Sequence, residues 1–240
     1  MSHFTVLVIG EDVEEQLAPY DENIVVPRYV KYTKEQLIKK GREDIAQYEK
    51  GTYAEYLKDP VKYAERCSNP RHLRYLKNEF PKMLKWNDEQ IYQNELRWYE
   101  KKDIGAEGEV YSTYNPKSKW DWYQIGGRWA GMLILKKGAK SGEKGEQSLL
   151  DKSSPYAKGG VDSALKKDID FKKTTKKNKD PFGTYAVVKN GEWFQKGEMG
   201  WWGMSSETEE ESIKWDEGFF KNFIKPLSPD TKLTIVDCHI

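Results

Sequence analysis

The stretch from Asn115 to Trp129 reads NPKSKWDWYQIGGRW and holds three Trp, one Tyr, two Lys, one Arg and one Asp. Aromatic faces stack on planar bases, and Lys or Arg neutralises phosphate, Arg through two parallel hydrogen bonds. Trp120, Trp122 and Tyr123 are therefore expected to stack on a ligand. Lys119 and Arg128 are expected to hold phosphate, and Asp121 to read a polar edge. Gly126-Gly127 lets the backbone turn sharply or approach a ligand closely. The pair lacks the spacing of a Walker or dinucleotide fingerprint. The same residues also suit a Trp-rich hairpin laid over a sheet, with Arg128 stacked on Trp and paired to Asp121.

Three further segments carry reactive side chains. In Lys196–Met204, Trp201 and Trp202 are adjacent and point opposite ways if extended, so Trp202 is expected to line a pocket. Glu198 in the same segment is a candidate acid or base. In Gly160–Asp170, Asp168 and Asp170 share a face as a metal pair would, but no further ligands are identifiable, and no metal site is assigned. Lys166 or Lys167 from this basic region supplies a further phosphate contact. The ending Asp237-Cys238-His239 gains interest from His3 at the other end of the chain. If the first and last strands pair, the two histidines become neighbours. His239 and Asp121 join Glu198 as acid–base candidates. No Cys/His ligand spacing is present, and no cofactor is assigned.

The chain must position these residues with 240 residues, of which 37% are apolar and 33% charged. That length fits one large domain spanning 1–240, or one with an insertion. Nine Trp, fifteen Tyr and eight Phe supply much of what can be buried. Net charge is +1, so no whole-molecule field argues for DNA, RNA or membrane. The average hides asymmetry. Lys136–Lys179 has thirteen Lys against six acidic residues, and Glu198–Glu217 has seven acidic residues against Lys214. Cys67 and Cys238 make no disulfide framework, and the start Met1–Thr5 lacks a signal peptide, so a cytoplasmic location is expected.

Phe4–Gly10 reads as a buried strand. Four helical segments follow over 33–100, the first with the capping signature Thr33/Gln36 and another opened by Asn69-Pro70. Gly108–Tyr114 and Arg128–Leu135 read as strands, and 136–180 as a Lys- and Gly-rich excursion. Asn190-Gly191 marks a hairpin between 182–188 and 192–195. Ser206 or Thr208 starts an acidic helix, and Leu233–Val236 is the last strand. The order predicts an α+β fold, with a ferredoxin-like βαββαβ core swollen by a helical insertion at 33–100.

The start MSHFTVLVIG, the block Tyr114–Trp129, the run GWWGM and the ending VDCHI resemble a family of bacteriophage-encoded proteins. The resemblance covers nearly the whole chain and implies a protein made in the cytosol of an infected bacterium. It attaches no catalytic residue. Phage accessory proteins often counter host defences, several of which signal with nucleotides. The leading expectation is a protein that binds a small nucleotide-like, phosphate-bearing ligand and so removes an immune signal. One alternative is a metal-independent hydrolase that cleaves such a signal. Another is a protein-binding inhibitor of a host factor, using the acidic helix Glu207–Glu217 or an exposed Trp patch. A homo-oligomer is compatible with each.

Overall fold

The computed structural model describes residues 2–145, 160–178, 182–200 and 204–240. In chain order, β1 (His3–Ile9) and α1 (Val13–Leu17) lead into β2 (Val25–Tyr32). Six helices follow: α2 (Lys34–Tyr48), α3 (Ala54–Lys58), α4 (Pro60–Arg66), α5 (Pro70–Arg74), α6 (Phe80–Met83) and α7 (Asp88–Leu96). Then come β3 (Val110–Tyr114), β4 (Trp122–Ile125), β5 (Ser163–Leu165), α8 (Phe171–Asn178), β6 (Ala186–Lys189), β7 (Glu192–Gln195), α9 (Glu209–Phe219) and β8 (Lys232–His239). The fold is α+β. Contacts divide it into two compact units, one of residues 26–113 and one of residues 1–25 with 114–240.

In the sheet unit, the strand order is β4-β8-β1-β6-β7, with β5 also paired to β8. β1 runs antiparallel to β8 and parallel to β6. Strand side chains alternate between faces, so each central strand feeds two cores. Leu7, Ile9, Val187, Leu233 and Ile235 face Phe219 of α9 and Ile224, in the π-helical turn that continues it. Phe4, Val6, Val8, Ala186, Val188, Val236 and Cys238 face Leu17 and Trp120. Burial on both sides explains why β1 reads as a continuous apolar run rather than an alternating one.

Local signals set the boundaries. Thr208 caps α9, accepting from the Glu211 backbone N–H while Glu211 reaches back, and three Glu in the first turn favour the helix dipole. Asn190 and Gly191 both have positive φ, the backbone that a two-residue hairpin demands. In the helical unit, Thr33 caps α2 and Asn87 caps α7 with reciprocal boxes. Asp59 caps α4, with Pro60 at its first turn.

Two expectations are corrected. Arg128–Leu135 is not a strand. Gly127–Trp129 forms a 3-10 turn, while Leu133 and Leu135 make single bridges to Val161 and Ile169. Gly126, Gly127 and Gly131 at positive φ break the extended backbone there. The sheet also departs from the ferredoxin-like order. First and last strands are central and adjacent, but the first hairpin strand, β6, lies beside β1, where that topology places the second. Gly108–Tyr114 contributes β3, which pairs with β2 rather than with the main sheet.

Phe219 is fully buried beneath the sheet, whereas Ile213 on the same helix is exposed. Urea unfolding of Phe219→Ala is expected to show a loss of about 3–5 kcal/mol in the sheet unit. Ile213→Ala should stay within about 0.5 kcal/mol.

Candidate functional site

One face of the sheet changes character along its length. On β1 and β8, the face that carries Leu7, Ile9, Leu233 and Ile235 continues as Thr5, His3, Asp237 and His239. Register puts His3 opposite His239 and Thr5 opposite Asp237. β4 extends both rows, with Trp122 beside His239 and Gln124 beside Asp237. The apolar core therefore gives way to a polar cluster at the end of the central strands.

Each histidine is held by a carboxylate. His3 Nδ1 lies 2.9 Å from Asp237 Oδ1, and His239 Nδ1 lies 2.6 Å from Asp121 Oδ1. The imidazoles meet edge to face with centroids 4.9 Å apart, and Trp122 stacks on His239 at 5.6 Å and 17°. A carboxylate only accepts, so it fixes the proton on Nδ1. Among the described residues each ring hydrogen-bonds through Nδ1 alone, which leaves Nε2 to take or give a proton.

Backbone donors complete the support. Asp237 Oδ2 accepts the Arg128 backbone N–H at 2.9 Å. Asp162, only 1% exposed, accepts the N–H groups of Gly131 at 2.5 Å and Gly145 at 2.8 Å. A side chain at Gly127 would collide with Asp237, and one at Gly126 with Asp162. The double glycine does serve close approach, but what approaches is a pair of internal carboxylates.

The structure sorts the residues singled out in the sequence. Asp121, Trp122 and His239 come together, joined by His3 and Asp237. Trp120 is 6% exposed and donates Nε1–H to the Leu17 carbonyl, and Tyr123 packs edge-on against it. Both belong to the opposite core, so their stacking role is withdrawn. Arg128 is exposed but does not pair with Asp121, which is taken by His239. Lys119 pairs with Glu198 at 2.9 Å and holds that carboxyl below the usual carboxylate range. Glu198 is therefore an ion-pair partner, not a proton donor at neutral pH. Lys166 is corrected too. Its Nζ donates to the carbonyls of Leu227 and Lys225, and Leu165 beside it pairs with Lys232 at the opposite end of β8 from His239. A strand rises about 3.3 Å per residue, which puts it roughly 20 Å away. Trp202 lies outside the described residues. Asp170 caps α8 through the Lys173 N–H. Burial pushes the Cys238 thiol well above its ordinary value, so it is no nucleophile.

Sequence reasoning passed over Asp162 and gave no role to the His3–Asp237 pair. The legible signal was the placement of His3 and Asp237-Cys238-His239 on two strands expected to pair.

Among the described residues, no three His, Cys, Asp or Glu side chains are grouped to hold a metal ion, and no helix is long and apolar enough to cross a membrane. Comparison with protein-family models, curated proteins and solved structures finds no match, so the chemistry rests on this geometry.

Gly138 has φ +83 and open space around it, whereas Gly127 has φ +48 and faces Asp237. Gly138→Ala should cost about 1–2 kcal/mol for the left-handed backbone. Gly127→Ala should cost about 1–3 kcal/mol beyond that, for displacing a packed group. Chemical denaturation of both variants measures the difference.

Proposed function

We propose that the chain acts on a nucleotide-like, phosphate-bearing ligand by metal-independent acid–base hydrolysis of a phosphodiester. The observation that carries this reading is the pair of imidazoles, each tethered through Nδ1 to a carboxylate and lying 4.9 Å apart. One neutral ring takes a proton from water through Nε2 as the water oxygen bonds to phosphorus. The bond from phosphorus to the leaving oxygen breaks, and the second ring, protonated, gives its proton to that oxygen. Water is thus added across one P–O bond. Trp122 is 42% exposed and offers a face for a base. Arg128 is exposed on the loop anchored to Asp237, within the same part of the sheet unit. In an infected bacterium such an activity would remove a nucleotide signal.

A second reading is sequestration of the intact ligand. The depth of the rings supports it, with side-chain exposures of 12% for His3 and 7% for His239. The same residues would then bind without turnover.

Incubation with a panel of linear and cyclic dinucleotides separates the two. Hydrolysis predicts cleaved product, with His3→Ala and His239→Ala each slowing turnover by about 10²–10⁴-fold. Bound dinucleotide recovered unchanged supports sequestration. Turnover unaffected by either His variant contradicts the proposed site.

A further inference from the structure

The helical unit contains a groove of about 510 Å³ built only from residues between Tyr75 and Trp98. That volume is within the range of small-molecule sites. Trp98 forms one wall and is 76% exposed, an unusual state for the side chain that gains most from burial. Trp86, half-buried, forms another, and neither indole packs on a second ring among the described residues. Tyr75 also lines it, from the first position of a π-helical turn, Tyr75–Glu79. Such turns insert one residue into a helix and recur at functional sites.

The charges in the groove are unbalanced. Lys82 and Arg97 both line it, and neither has a carboxylate partner among the described residues. The one acidic side chain on the lining, Glu79, is 4.0 Å from Arg74. Asn94 accepts from the Arg97 guanidinium and so aims it. Flat faces beside unpaired cations suit a planar ring that carries an anion.

We propose that this groove is a second binding site, for a nucleoside monophosphate. Its ring stacks on Trp98 and Trp86, and its phosphate is held by Arg97 and Lys82. The site uses none of the histidines or aspartates described above, so it stands or falls independently of the hydrolytic reading.

Isothermal titration of the full chain with the four common nucleoside 5′-monophosphates, their nucleosides and inorganic phosphate tests it. At least one monophosphate should bind about tenfold or more tightly than either its nucleoside or phosphate alone. Loss of one stacked base typically weakens binding about 5- to 150-fold, and Trp98→Ala should fall in that range. Arg97→Ala should bring affinity down to that of the nucleoside. Both side chains are exposed, so both variants should keep the wild-type circular dichroism spectrum. Failure of all four monophosphates to bind overturns the proposal. So does a nucleoside that binds equally well, or affinity that survives both groove variants.

Discussion

The antiparallel pairing of β1 with β8 is the constraint on which the sheet unit depends. Its register sets His3 against His239 and Thr5 against Asp237, and it sets Leu7 against Ile235 in the core. Because side chains alternate, a slip of one residue would turn both sets to the other face at once. Burial of Leu7, Ile9, Leu233 and Ile235 beneath α9 therefore does more than stabilise. It locks the position of the polar row farther along the same strands. The site is an extension of the core, and its precision derives from packing several residues away.

Two buried carboxylates carry that precision into the neighbouring loop. Asp237 bridges His3 and the Arg128 N–H, so one side chain orients a ring and fixes a turn. Asp162 gathers the N–H groups of Gly131 and Gly145, and among the described residues no ion pair joins it. Buried polar groups are tolerated when every lone pair has a use, and leaving the donors unpaired would cost about 1–3 kcal/mol each. The left-handed glycines at 126 and 127 are the backbone's accommodation of these two side chains.

Much of the fold was legible because its signals are local. The caps at Thr33, Asn69 and Thr208, the Asn190-Gly191 turn and the apolar run of β1 each depend on residues a few positions apart. The hairpin order and the role of Arg128–Leu135 depend on long-range pairing, which periodicity does not encode. The site was half legible. The Trp-rich segment does supply Asp121 and Trp122, but alternation sends Tyr123 to the opposite core, where Trp120 already lies. Composition alone could not separate these neighbours. Lys166 looked like a phosphate ligand by charge, yet it ends up capping the carbonyls of Lys225 and Leu227. Stacking faces beside cations also recur at Trp86, Arg97 and Trp98, where the sequence shows no dense cluster because helical spacing spreads them out.

Both imidazoles are held through Nδ1 and keep Nε2 available for proton transfer. Long-range ¹H–¹⁵N NMR of the histidine rings tests it directly, and His72 is the only other histidine to assign. His3 and His239, when neutral, should carry their proton on Nδ1 and leave Nε2 bare. Asp237→Asn should perturb the His3 ring and Asp121→Asn the His239 ring. A neutral ring with its proton on Nε2 at either position would contradict it.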